Sequence, residues 1–282
     1  MSALPEYDLP DPQARMALRV EALARTGRYN PNHPHRHRYC EIFLFTAGSG
    51  THMIDFAEWP IAPGQVHLVF PGQVHQVMRS GDSEGVVLCF GSHFIPDPET
   101  LEALDGFREQ PSINAGPEAV NQILRWVTLY QSELQPAPGT DRHLLGIVLA
   151  KCLNLKAIPP STSQQSIFTR FLTLLESQFR SQKQVSPYAD QLAITADRLT
   201  EICRQHRGRA AGELIRERII LEAKRLLLHS QLSIKEIAYD LGYEDPAYFN
   251  RLFQKDLQVP PQRFRELIRE KYKPNPDSSN DG

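Results

Sequence analysis

At 282 residues with 41% hydrophobic side chains, the chain is long enough for two packed domains of ordinary size. No run of eighteen apolar residues occurs, and the first thirty residues lack the basic start and apolar stretch of a signal peptide, so neither a membrane nor an exported protein is expected and a cytoplasmic one is. The net charge of −2 hides an asymmetry: residues 1–166 sum to −5, residues 167–273 to +5, and the tail adds two aspartates, so binding of a polyanion is expected of the second half alone.

In chain order, PEYDLPDPQ reads as coil and RMALRVEALART as a short helix or an edge strand. From Pro34 the pattern has period two: His35, His37, Tyr39, Glu41, Phe43 and Phe45 share one face and Ile42 and Leu44 the other, which is a strand. Gly48–Gly50 turn it, Thr51–Phe56 return as its partner, and IAPGQVHLVFPGQVHQV gives two more strands split by Pro-Gly. Gly85–Phe90 is a further apolar strand. Five or more short strands with close Gly/Pro turns predict a small antiparallel barrel or jelly roll. Cys40, Cys89, Cys152 and Cys203 form no C-x-x-C pair, so buried reduced thiols are expected rather than a zinc knuckle or disulfides.

The spacing His35-x-His37-x3-Glu41-x6-Gly48, followed by Gly64, Pro71-Gly72 and His75, resembles the two cupin motifs. Tyr29, Phe70 and Arg79 depart from the usual residues there. In metal-binding cupins the matching three imidazoles and one carboxylate converge on a single ion, a set suited to Mn, Fe or Ni. The resemblance thus implies either a divalent metal on His35, His37, Glu41 and His75, or a small-molecule pocket lined by them.

Pro96–Pro117 reads as a loop-rich crossing. Two helical stripes follow, Ala119, Ile123, Leu124, Val127 and Tyr130, then Leu144, Leu145, Val148, Leu149, Cys152 and Leu153. They can form an antiparallel pair, at a dimer surface or against the barrel. Residues 158–166, IPPSTSQQS, are the natural linker, so domains are expected at 1–157 and 167–273, with a disordered tail at 274–282.

The second domain opens with a helix carrying Ile167, Phe168, Phe171, Leu172, Leu175 and Phe179. Ser186 and Pro187 start another as cap and first residue, and Thr195 caps the next, whose inner stripe is Leu199, Ile202 and Cys203. Residues 211–230 form one long helix. Ser233 with Glu236 is a capping box, Gly242 ends that helix, and Asp245-Pro246 starts another with Phe249, Leu252 and Phe253 inward. These last three repeat Leu199, Ile202 and Cys203 at a displacement of 50 positions, which reads as an internal duplication. Two short helices about a tight turn, occurring twice, fit a pair of helix-turn-helix units.

From about Phe168 to Arg265 the chain resembles the DNA-binding domain of the AraC/XylS transcriptional regulators, most clearly in EAKRLLLHSQLSIKEIAYDLGYEDPAYFNRLFQK and VPPQRFRE. Gln258 and Cys203 depart from the commoner Gly and aromatic residue. The resemblance implies an α+β chain: a cupin-like barrel with a helical pair, then an all-α domain of two helix-turn-helix units joined by a long helix. It further implies a homodimer through the helical pair, with Leu145 and Leu149 at the interface, a double-stranded DNA operator, RNA polymerase as a partner, and a small-molecule effector, by analogy a small aromatic acid.

The resulting expectation is a ligand-responsive regulator, an activator rather than an enzyme. The competing reading is a cupin metalloenzyme with an accessory DNA-binding domain. In the second reading helix Ala247, Asn250, Arg251 and Gln254 face outward, and Asn and Arg suit adenine and guanine edges. In the first, Asp197, Arg198, Thr200, Glu201 and Arg204 lie in the reading region. Carboxylates there are expected either to select cytosine or to pair with Arg198 or Arg204, and Arg204 to hold phosphate.

Overall fold

Alternation along residues 40–47 organises the first half of the molecule. The computed structural model describes residues 6–7, 18–23, 33–91, 94–95, 100, 103–104, 106–134, 140–155 and 163–271; the expectations for Tyr29, residues 158–162 and the tail 274–282 lie outside them. Strand β4 (Cys40–Ala47) is central in a five-stranded sheet. The other strands are β1 (Glu6–Tyr7), β2 (Arg19–Ala22), β3 (Arg36–His37), β5 (Gly50–Ile54), β6 (Ala57–Ile61), β7 (Gln65–Val69), β8 (His75–Arg79), β9 (Glu84–Phe90) and β10 (Ser112–Asn114). One sheet has the order β10-β7-β4-β9-β2, a second β6-β5-β8, and β1 pairs in parallel with β3. Every pairing within the two larger sheets is antiparallel.

Both faces of β4 are buried, each in a different core. Cys40, Ile42 and Leu44 pack with Val66, Leu68 and Leu88 under the helices α2 (Pro117–Leu129) and α3 (Thr140–Leu155), while Phe43 and Phe45 join Ile54, Val69, Val77 and Val87 inside the barrel. Burial of each such side chain contributes about 1.5–3 kcal/mol, so the alternation stabilises two layers at once. A four-residue helix, α1 (Gly106–Glu109), precedes β10, and a π turn, Tyr130–Leu134, extends α2. Tyr130 Oη donates to Asp141 Oδ1 at 2.6 Å and the Leu18 amide donates to Asp141 Oδ2 at 3.1 Å, tying α2, α3 and the start of β2 together.

The barrel has the five or more strands expected, with some at positions the sequence did not mark. The ambiguous segment near residue 20 is an edge strand, β2; Glu6–Tyr7, read as coil, pairs with β3; and β6 and β10 were not expected. β6 contains Pro60, tolerated because the strand lies at a sheet edge. Its hairpin turn, Asp55–Phe56, has φ of 48° and 72° without a glycine to announce it. Leu145 and Leu149, assigned to a dimer surface, are 0% exposed and belong to the core shared with the sheet. That assignment is corrected: α3 turns this stripe inward, and its large exposed apolar residue is Ile147.

The helical unit, Pro159–Lys273, has a separate core. Its helices are α4 (Ser163–Gln178), α5 (Ser186–Gln191), α6 (Ala196–Arg207), α7 (Ala211–His229), α8 (Ile234–Asp240), α9 (Pro246–Leu257) and α10 (Pro261–Lys271). α4 starts at Ser163, inside the stretch expected as linker, and Ser186 is the first helical residue rather than the cap of α5. Thr195 caps α6, Asp245 caps α9, and Ser233 and Glu236 exchange both hydrogen bonds of a capping box.

Candidate functional site

Two constellations carry chemistry. The first is the repeated helix pair. Ile194 N–H donates to the Ala189 carbonyl after α5, and Tyr243 N–H donates to the Ala238 carbonyl after α8, both closing the turn in the same way. Ala193 (φ 56°) and Gly242 (φ 78°) are the left-handed residues of these turns. Buried Tyr188, Ala189 and Leu192 thus match Ile237, Ala238 and Leu241 at a displacement of 49, and one extra turn residue restores 50 for the reading helices. Phe249 and Phe253 in α9, and Leu199, Ile202 and Cys203 in α6, fill the core.

The opposite faces are open. Ala247, Asn250, Arg251 and Gln254 on α9 are exposed, as are Asp197, Glu201 and Arg204 on α6, with Arg198 and Thr200 half-buried. Arg198 Nη1 lies 2.6 Å from Glu201 Oε2, and Gln205 Nε2 donates to Glu201 Oε1 at 3.3 Å. Arg251 Nη2 lies 3.6 Å from Asp245 Oδ2, whose Oδ1 caps the Ala247 amide at 2.8 Å. The arrangement presents two short capped helices, each with polar side chains on the face away from the core, as contact with base edges and phosphates requires.

Behind these faces the helices are clamped by charge. Glu222 on α7 is nearly buried and meets Arg180, Arg218 and Arg225, each at 3.1 Å. Burial by itself raises the Glu222 carboxyl, but Arg225, Arg218 and Arg180 together outweigh it and hold it down at about 2. Arg180 also reaches Asp240 on α8 at 3.4 Å, and Arg218 reaches Glu176 on α4 at 2.7 Å.

The second constellation lies inside the barrel. His37 Nε2 is 3.1 Å and His75 Nε2 3.5 Å from Glu41 Oε2, and all three side chains are 0% exposed. Cys89 Sγ donates to the other carboxylate oxygen at 3.7 Å; burial pushes its thiol well above the usual range. His52 Nε2 lies 3.0 Å from His75 Nδ1 and His52 Nδ1 lies 3.1 Å from His67 Nδ1. Burial holds His35 and His67 down at about 4 and His52 and His75 well below 6.5, so these rings are neutral.

Of the four expected ligands, three converge: the donor atoms of His37, Glu41 and His75 all lie within 4.8 Å of one another. His35 lies beside this triad and is not a member of it. Its Nδ1 donates to the His33 carbonyl at 2.9 Å, and its ring leans on His75 with centroids 4.2 Å apart. His52, His67 and Cys89 were missed. The signal for His67 and Cys89 was register, since His67 pairs with Phe43 and Cys89 with Glu41, both on the inward parity of β4.

Comparison with known proteins agrees with both halves. An AraC-like ligand binding domain matches residues 21–151, and a helix-turn-helix domain matches residues 188–267. The chain belongs to the AraC family. It is a DNA-binding transcriptional regulator with an amino-terminal ligand-binding domain. This AraC-family chain is 23% identical over 273 residues to the HTH-type transcriptional activator RhaR of Escherichia coli K12, covering 89% of this chain and 94% of the relative. Among solved structures, ToxT of Vibrio cholerae O395 is 13% identical, with 90% of this chain and 98% of that one covered and a TM-score of 0.45. The carboxy-terminal domain of the response regulator yesN from Fusobacterium nucleatum is 27% identical over 34% of this chain and 93% of its own, with a TM-score of 0.33. Among the described residues of the AraC-family chain, no helix is long and apolar enough to cross a membrane.

Proposed function

We propose that this regulator is a cytoplasmic bacterial activator that binds a double-stranded operator through α6 and α9, recruits RNA polymerase, and responds to a small molecule or ion held in the barrel. The observation that carries the reading is the duplicated pair of capped helices with open polar faces, one of them bearing Asn250 and Arg251. Asn and Arg side chains form paired hydrogen bonds with adenine and guanine, which gives α9 the stronger base-reading set. On α6 Glu201 is paired with Arg198, and the carboxylates of this helix repel phosphate, so α6 contributes less affinity than α9.

The active form is proposed to be a homodimer. Leu129 and Ile147, 48% and 52% exposed, are the large apolar residues that α2 and α3 turn away from the sheet core. A second copy seated there doubles the number of DNA-reading units, and linkage raises their effective concentration at the operator. The barrel is taken to sense rather than to catalyse.

The test is selection of sites from randomised duplexes by the full chain, followed by footprinting. The expected result is an enriched sequence with two elements about one helical turn, or ~34 Å, apart. Retention of random sequence without enrichment overturns sequence-specific regulation.

A further inference from the structure

We infer that the turn closing α4, residues 179–183, is a bracket that fixes the second reading unit against the first, with Arg180 as its positioning residue, so that the chain accepts its two operator elements at one spacing. The inference rests on the operator reading proposed above. On one side the turn is fastened to the first unit. Tyr188 of α5, fully buried, donates its hydroxyl proton to the Gln182 carbonyl at 3.0 Å. The side-chain amides of Gln178, at the end of α4, and Gln191, at the end of α5, exchange two hydrogen bonds at 2.8 and 2.9 Å.

On the other side the same turn carries the second unit. The Arg180 guanidinium forks between Glu222 of α7 at 3.1 Å and Asp240 of α8 at 3.4 Å. Its planar set of N–H groups serves two carboxylates in fixed directions, which a point-like ammonium does not. The Arg180 backbone is engaged as well. Its carbonyl oxygen would lie 1.9 Å from a Cβ on Gly242, so the absence of a side chain there lets the turn of the second unit close onto α4. Lys183 Nζ donates to the Phe179 and Arg180 carbonyls at 2.8 and 2.5 Å and stands 5.2 Å from the centre of the Tyr243 ring. Residues 179–183 therefore meet Asp240, Gly242 and Tyr243, the end of α8 and the turn that leads into α9.

The size of a spacing error on DNA shows what such a bracket does. About 10–10.5 base pairs make one turn of ~34 Å, so one inserted base pair moves the second element by ~3.4 Å and rotates it by roughly 35°. Hydrogen bonds of ordinary length, and a glycine seat with no room for a methyl group, do not follow a displacement of that size. Other ties of the second unit have a different reach. Arg265 and Arg269 of α10 donate to the carbonyls of Leu232, and of Leu227 and Ser230, and so fasten this unit to the helix that leads into it.

The experiment uses the full chain and the operator enriched from randomised duplexes, rebuilt with one or two base pairs inserted or removed between its two elements. The wild type is expected to lose at least ~10-fold in affinity at each altered spacing, as much as one mismatched base pair costs. Arg180→Ala and Asp240→Ala are expected to cut that penalty to about 3-fold or less, because a unit that pivots reaches a displaced element. Asp240 is exposed, and its loss leaves Glu222 paired with Arg218 and Arg225, so this variant keeps the fold even where Arg180→Ala does not. Arg269→Ala, compared at matched distance below its melting temperature, is expected to keep the wild-type profile. Lost stability weakens binding at all spacings alike, so the ratio between spacings reads positioning alone. Wild-type chain that binds several spacings equally overturns the inference and leaves the operator reading standing, whereas wild-type chain that enriches no sequence overturns both. An unchanged ratio in Asp240→Ala or in folded Arg180→Ala, or the same broadening in Arg269→Ala, overturns Arg180 as the positioning residue.

Discussion

Arg198 Nη1 lies 2.6 Å from Glu201 Oε2 across one turn of α6, so two charges placed to meet DNA are spent on each other in the free protein. With side chains 40% and 55% exposed, such a pair contributes only ~0–1 kcal/mol, and a nucleic acid can replace it. The pairing favours the plainer of the two sequence readings of Glu201. Glu201→Ala is expected to free Arg198, raise affinity for all duplexes and steepen the salt slope by about one. A selective loss of preference at a C·G pair, with no change of salt slope, would instead restore Glu201 as a base reader.

Arg251 is held more loosely, 3.6 Å from Asp245 with side chains 69% and 59% exposed. Arg251→Ala is expected to cost roughly 1–3 kcal/mol of operator binding and to relax preference at one base pair, whereas Arg204→Ala weakens all sequences alike. Binding to a randomised operator library at two salt concentrations separates the two. An unchanged base preference in Arg251→Ala sinks α9 as the base reader.

The two turns of the duplication give a stability test with internal controls. A Cβ on Gly242, at φ +78°, would lie 1.9 Å from the Arg180 carbonyl oxygen, whereas one on Gly208, at φ +67°, meets nothing within 4 Å. Gly208→Ala is expected to cost about 1 kcal/mol for the backbone conformation alone, and Gly242→Ala ~2–4 kcal/mol because a backbone atom must move. Ala193, already left-handed at φ 56°, is expected to gain up to about 1 kcal/mol on replacement by glycine. Denaturant unfolding of the three variants checks the order.

What the sequence revealed follows from the range of each signal. Ser233 with Glu236 and Asp245-Pro246 are local devices, and both helix starts stand where the residues put them. Period two along 35–45 gave the correct inward set, because a strand leaves only two directions. A helical stripe is less informative: Leu144, Leu145, Val148 and Leu149 had to be buried, but the pattern did not say against what. The His52–His67 contact was hidden for a different reason, since β5 and β7 belong to different sheets and meet only where the two sheets face each other. The Asp55–Phe56 turn and left-handed Ala193 adopt glycine conformations without glycine.

Glu222 makes the helical unit acid-sensitive. Its carboxyl is near 2 in the folded chain against 4.5 unperturbed, so the stabilisation is fully present above about pH 4.5 and is lost as pH falls toward 2. That interval corresponds to roughly 3 kcal/mol. Glu222→Gln removes the charge that three arginines share and is expected to cost about 3–5 kcal/mol at neutral pH, and to flatten the acid limb of the unfolding curve. Circular dichroism melts between pH 2 and 7 provide the check. A variant that loses stability yet keeps the wild-type acid limb assigns that limb to other carboxylates.

The last prediction separates core from interface on α3. Leu145 is 0% exposed within the sheet-facing core, and Ile147, one position beyond its neighbour, is 52% exposed. Leu145→Ala leaves a cavity and is expected to cost about 2–5 kcal/mol. Leu145→Lys adds a buried charge and unfolds the barrel unit. Ile147→Lys and Leu129→Lys place the charge in water and are expected to change stability by only about 0.5 kcal/mol, while weakening self-association and, through the lost linkage, operator affinity. Sedimentation of each variant over a concentration series is read beside its melting curve. A folded Leu129→Lys, Ile147→Lys double variant that dimerises like the wild type moves the interface away from α2 and α3.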